Sequence, residues 1–182
     1  LIFLFSFSFT ISCIKNESPS QEPFEIKIPE GFPEMVFSSD NFFTNDRWEL
    51  GKKLFYEKGL SKDYSISCAS CHHQDKAFAD GLQFSTGFEG RITTRNSMAI
   101  INPIVQNNLF WDSRSKTIHD LSLQPVQNHI EMGMEDLDRL VNKLENTEYY
   151  KPLFKKAFGE ENISSEKISK ALSQFVASIT TS

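Results

Sequence analysis

Five consecutive residues, Cys68-Ala69-Ser70-Cys71-His72, hold the strongest chemical signal in the chain. A separation of three positions puts both sulfurs on one helical face, where each can form a thioether with one haem vinyl group. The histidine that follows is then swung to the iron as its proximal nitrogen ligand. Two other uses of these residues stay open. A structural zinc site needs four ligands, and His72 and His73 do not easily share one tetrahedron with this cysteine pair, so His119 and His129 would have to fold back. A dithiol redox pair wants a βαβ setting, which the sequence lacks. Covalent haem c, one per chain, is the expectation. Met98, Met132 and Met134 are candidates for the sixth coordination position, as in simple electron carriers. For Met132 and Met134, packing against aromatics or the haem edge is the plainer role.

The elements that must position this motif read as helices and loops. The segment from Pro23 to Asp40 is punctuated by Pro and Gly and reads as extended. Asn45 to Tyr56 has a capping Asn and apolar Trp48, Leu50, Leu54 and Phe55, which predicts a short helix. Residues 60 to 130 show little periodicity and read as loops with short helices. Beyond Glu135, Leu137, Leu140, Val141 and Leu144 fall at helical spacing, and a second helix is expected from about Glu148 to Phe158, stopped by Gly159. The last helix starts at Ser164, with Ile163 and Ile168 placed as a hydrophobic staple and with Ala171, Leu172, Phe175, Val176 and Ile179 on the same face as Ile168. No internal repeat or alternating strand run is present. The predicted class is all-α.

Composition narrows the function. With 182 residues, 39% hydrophobic and 24% charged, the chain can bury a core in one domain, two at most, and is neither disordered nor collagen-like. Lys+Arg number 19 against 24 Asp+Glu, a net charge of −5, which argues against nucleic-acid binding. Three cysteines make no disulfide scaffold. The opening LIFLFSFSFTIS lacks charge and is shorter than the roughly 20 residues a span requires, but suits the apolar part of an export signal. Cys13 follows it directly, before a polar linker over residues 14–28. That layout resembles a lipoprotein signal, with Cys13 as the lipidated residue and a membrane tether; an ordinary signal with an incidental Cys is the alternative. Both place the mature protein outside the cytoplasm, in the periplasm or anchored to the outer membrane on its periplasmic side.

From about Pro29 to the end, the sequence resembles the N-terminal lobe of the bacterial di-haem cytochrome c peroxidase family. The resemblance is carried, in the family's order, by GFPEMVF, ELGKKLFYEKGLSKDYSISCASCH, AFADG, RNSMAIIN, LFWDSR and QPVQNHIEMG. It implies a cytochrome-c-like lobe in which Cys68 and Cys71 attach the peroxidatic haem and His72 ligates its iron. A second haem is expected in a further lobe that the chain does not include. Trp111 matches a tryptophan between the two haems, a stepping point for electrons, although a core aromatic would explain it equally well. Glu131 matches the distal acid. A carboxylate in a half-apolar pocket, with its pKa raised, can take a proton from one peroxide oxygen and return it to the leaving one; a solvated loop acid is the bland alternative. Asn96 matches a calcium ligand located between lobes. The partners implied are hydrogen peroxide and a small donor cytochrome or cupredoxin, and a homodimer is left open.

Two positions depart from the family. Phe88 stands where a loop histidine often ligates the resting iron, which predicts a sixth position holding water or nothing. Leu121 stands where the family usually has a distal Gln, and Gln124 is out of register. The function expected is reduction of hydrogen peroxide. Oxidation of tryptophans on a partner protein by the same scaffold, or electron transfer by a mono-haem carrier, are the alternatives.

Overall fold

A computed structural model of the chain describes residues 22–33 and 39–181. Cys13 and the export segment lie outside these residues. Helix α1 spans Asn45–Tyr56, α2 Ile118–Ser122, α3 Gln124–Gln127, α4 Leu137–Glu145, α5 Tyr150–Phe158 and α6 Ser165–Ala177. Short 3₁₀ turns and loops fill the interval between α1 and α2. Among the described residues, β pairing is limited to isolated bridges. The class is all-α, as the sequence predicts.

Local chemistry explains the helix ends. The cap of α1 is Thr44 and not Asn45: the Thr44 hydroxyl accepts from the Arg47 N–H, and Asn45 is already the first helical residue. Asp136 accepts from Asp138 and Arg139 at the start of α4. Ser164 accepts from Lys167 at the start of α6, with Ile163 and Ile168 both buried in the core beside it. Gly159 ends α5 with φ +84°, a conformation that costs residues with a Cβ about 1 kcal/mol. The α5 start is Tyr150, two residues later than the pattern predicts, because Thr147 to Tyr149 form a separate turn.

The core lies where α1 crosses α6, the most extensive helix pair. Leu50, Leu54 and Phe55 of α1 meet Ile168, Leu172, Phe175 and Val176 of α6, with Leu140, Leu144 and Phe154 behind them. Gln174 on α6 is fully buried, and its amide is used completely. Oε1 accepts from Thr44 N (3.2 Å), while Nε2 donates to the Phe42 carbonyl (2.6 Å) and Asn41 Oδ1 (2.9 Å). This one side chain pins the segment before α1 onto α6.

Gly51 permits the crossing. A Cβ built there overlaps the Ala171 carbonyl oxygen and comes within 3.1 Å of the Phe175 Cβ. Gly51→Ala gains about 1 kcal/mol in helix propensity, but separating two packed helices costs about 1 to 3 kcal/mol, occasionally more. The clash should win: guanidinium unfolding of the Gly51→Ala protein is expected to show a lower midpoint than wild type.

Candidate functional site: a cavity around the CxxCH motif

The chain leaving α1 turns through Lys58–Leu60 and reaches the motif at a 3₁₀ turn, Cys68–Ser70. The Cys68 carbonyl accepts from both Cys71 N (3.2 Å) and His72 N (3.0 Å), so the motif is one tight turn that projects all three side chains together. Cys68, Cys71 and His72 line a single cavity of about 450 Å³. Its other walls include Phe55, Met98, Ile100, Leu121, Met132 and Leu172. Both thiols are free. Burial, the largest cause in each case, pushes Cys68 up to about 12 and Cys71 up to about 11, so both stay protonated at neutral pH.

His72 is oriented by its own loop. Ala77 and Phe78 take left-handed backbone conformations, each with φ +56°, and the chain folds back so that Phe78 N donates to His73 O (2.8 Å). This brings the Phe78 carbonyl to 2.7 Å from His72 Nδ1. A carbonyl only accepts, so Nδ1 carries the proton and Nε2 presents a lone pair. Burial lowers the His72 pKa and favours the neutral ring that a metal needs. Two thiols, a bare imidazole nitrogen and a mostly apolar cavity of ligand size form a donor set that fits haem c. The zinc alternative loses its remaining ligands. His119 instead faces Glu166 (3.4 Å) and Asp120 (3.8 Å), His129 is exposed, and neither lines the cavity. Among the described residues, no group of three or more His, Cys, Asp or Glu could hold a metal ion.

Glu131 lines the same cavity. It is half-buried, and desolvation raises its pKa, with the nearby Arg114 charge opposing the shift. Its holder, which the sequence reading missed, is Asn128. That side chain accepts from Ile130 N (2.8 Å) and Glu131 N (3.3 Å) and donates through Nδ2 to Glu131 Oε1 (2.9 Å). An Asn three residues before the acid, inside a turn, is the signal that could have found it. Gly87 packs so close to Ile130 and Glu131 that a Cβ there would overlap the Ile130 carbonyl.

Phe88 is buried and does not line the cavity; its ring packs on Gly133, between Lys62 (5.6 Å) and Arg91 (5.3 Å). Leu121 lines the cavity, whereas Gln124 is taken up by Arg114, Ser115 and the Asp120 carbonyl. Met132 and Met134 belong to the buried core, and Met132 and Met98 also line the cavity. Trp111 is no core aromatic: it is 61% exposed at the cavity wall, and its Nε1 donates to the Asn96 carbonyl (3.2 Å). Asn96 is exposed beside it.

The profile of the di-haem cytochrome c peroxidase family matches residues 45–182, three quarters of the chain. The chain belongs to this family. The methylamine utilization protein MauG of Methylophilus methylotrophus is 33% identical over 157 residues, covering 86% of this chain and 45% of its own length. The cytochrome c551 peroxidase of Nitrosomonas europaea is 31% identical over 138 residues, 75% of this chain and 40% of that protein. A solved MauG-like protein associated with microbial copper homeostasis superposes with a TM-score of 0.79 at 30% identity, covering 87% of this chain and 47% of that one. The chain therefore spans less than half the length of these relatives, and it aligns with the N-terminal part of the family's proteins. Haem c is the family's cofactor.

The raised Glu131 pKa has a stability consequence. A carboxyl whose folded pKa lies above its unfolded value contributes stability that is full below the ordinary carboxyl range and is lost as pH rises through the folded pKa. Glu131→Gln keeps the acceptor for Asn128 and removes the charge. In thermal melts of the holoprotein, the Gln variant is expected to gain on wild type as pH rises above the ordinary carboxyl range and through the raised Glu131 pKa. A constant difference across that rise would contradict the assignment.

Proposed function

We propose that this chain forms the peroxidatic lobe of a haem c peroxidase, which reduces hydrogen peroxide to water with two protons and two electrons from a small c-type cytochrome or cupredoxin. The observation that carries the reading is the shared cavity: a half-buried carboxylate with a raised pKa, Glu131, lines the same space as Cys68, Cys71 and the bare nitrogen of His72. Haem c, held through thioethers to Cys68 and Cys71 and ligated by His72, supplies the redox-active iron at which peroxide is reduced. The protein's part is proton movement and shelter. Asn128 holds Glu131 Oε1, which leaves Oε2 to take a proton from one peroxide oxygen and deliver it to the other. Leu121, Ile130 and Met132 supply apolar wall that keeps this carboxyl's pKa high. Trp111, exposed at the cavity wall, is the residue at which electrons would reach this lobe.

A second reading, oxidation of tryptophans on a partner protein, draws support from the 33% identity to MauG and from Phe88 being packed away from the cavity. Export to the periplasm, a tether through Cys13 and a calcium ion at Asn96 complete the proposal. A mono-haem electron carrier would need Met98 or Met132 as the sixth ligand, and a sulfur-to-iron charge-transfer band indifferent to peroxide would favour it.

Two measurements test the peroxidase reading. Haem should survive denaturing electrophoresis in wild type and be lost when Cys68 and Cys71 are both replaced by Ala. With the donor supplied, Glu131→Gln should slow peroxide turnover by about 100 to 10,000-fold, the usual worth of a general acid–base. Turnover at the wild-type rate would remove Glu131 from the mechanism.

A further inference from the structure

Ser97 sits where the loop that begins at Ser85 returns to the cavity wall. Its Oγ donates to the Cys71 carbonyl at 2.8 Å and lies 3.3 Å from His72 Nδ1. A hydroxyl has one proton. With that proton committed to Cys71, the oxygen turns a lone pair toward Nδ1. The Nδ1 hydrogen is therefore shared between two acceptors on different segments, the Phe78 carbonyl at 2.7 Å and the Ser97 hydroxyl at 3.3 Å. Neither residue is adjacent to His72 in sequence, and each comes to the ring independently.

We propose that Ser97 is a positioning residue for His72: its hydroxyl fixes the rotation of the imidazole and strengthens the ring as an electron donor through Nε2. The proposal rests on the haem reading above. A hydrogen-bond acceptor on the far nitrogen of a metal-ligating histidine fixes its orientation and raises its basicity, which favours the oxidised metal. Ser97 can do this because its backbone is held at its own N–H and at the two residues before it. Its own N–H donates to the buried Ser85 Oγ (3.2 Å), and Thr93 Oγ1 accepts from Ser85 N (2.9 Å). Before it in sequence, the Asn96 carbonyl accepts from Trp111 and Arg95 pairs with Asp112 (2.9 Å). The hydroxyl is presented by a clamped strand of loop, and the rotamer that reaches Nδ1 is the one that also reaches Cys71.

The test uses the haem-loaded protein. Ser97→Ala should shift the midpoint potential of the haem carried by this chain to more positive values, and should speed solvent exchange of the His72 Nδ1 proton, followed by NMR in the cyanide-bound ferric form. Ser97→Thr restores the hydroxyl and should return both readouts toward wild type, which a merely volume-filling role would not do. A Ser97→Ala protein with full haem content, unchanged potential and unchanged proton exchange overturns the proposal. Should that variant load too little haem, Ser97→Cys keeps the volume with a weaker acceptor and must show the same positive shift, or the proposal fails. None of these readouts needs turnover: a wild type that carries haem but does not reduce peroxide sinks the peroxidase reading and leaves the Ser97 role measurable.

Discussion

The hydrogen bond between His72 Nδ1 and the Phe78 carbonyl is the constraint on which the rest of the site depends. It settles which nitrogen is protonated, and so which one is available. It comes at a conformational cost: two successive non-glycine residues, Ala77 and Phe78, adopt left-handed geometry, at roughly 1 to 2 kcal/mol each. Bonds within the same loop offset part of that. His73 O accepts from Lys76 N and Phe78 N, and His73 N donates to Ala79 O, closing an isolated bridge over the turn. Phe78 also contributes its ring, set edge-on to Phe55 of the core, so the carbonyl that orients His72 is anchored to α1. A local strain is thereby held by the main hydrophobic cluster.

The acid side is built by a different device. No helix carries Glu131; it lies in a turn organised by the Asn128 side chain and closed by backbone bonds from Met132 N and Gly133 N to Asn128 O. The only way to bring a second loop against that turn is to remove side-chain bulk. Gly87 does this, and the next residue, Phe88, donates its N–H to the Ile130 and Glu131 carbonyls, both at 2.9 Å. The buried Phe88 ring then packs on Gly133, where a Cβ would stand 2.7 Å from the ring. Phe88 is thus a structural wedge behind the acid, and this explains why an apolar residue is stable at this position.

The helices were legible because their signals are local. The period of apolar residues over α4 to α6, the Ser164 cap and the Gly159 stop each depend on residues within one or two turns of each other, and the structure reproduces them. The exception at α1 is instructive: Asn45 is the better cap by type, but Thr44 has the extended backbone that a cap requires, because Gln174, 130 residues away in sequence, accepts its N–H. The CxxCH chemistry was legible for the same reason, being confined to five residues. What the sequence did not disclose lies in contacts between distant loops: Asn128 as the holder of Glu131, Gln174 as the pin of the N-terminal segment, and the exposure of Trp111, which follows from a hairpin with left-handed Phe110 and Ser113 on either side of it.

One loop joins the two sides of the cavity. Between Ser85 and Ser97 the chain makes a narrow hairpin, bridged at Thr86 and Ile92 and closed by Thr93 N to Ser85 O (3.0 Å). Its tip, Gly87 and Phe88, bears on the backbone of Glu131; its base, Ser85 and Ser97, bears on Cys71 and His72. The Thr86–Ile92 bridge and the Thr93 N–Ser85 O bond tie the tip that meets Glu131 to the base that meets Cys71. The group that would move protons and the group that would ligate the iron are therefore held by a single mechanical element. Substitutions in this hairpin should be read as acting on both at once, even where the altered side chain touches only one.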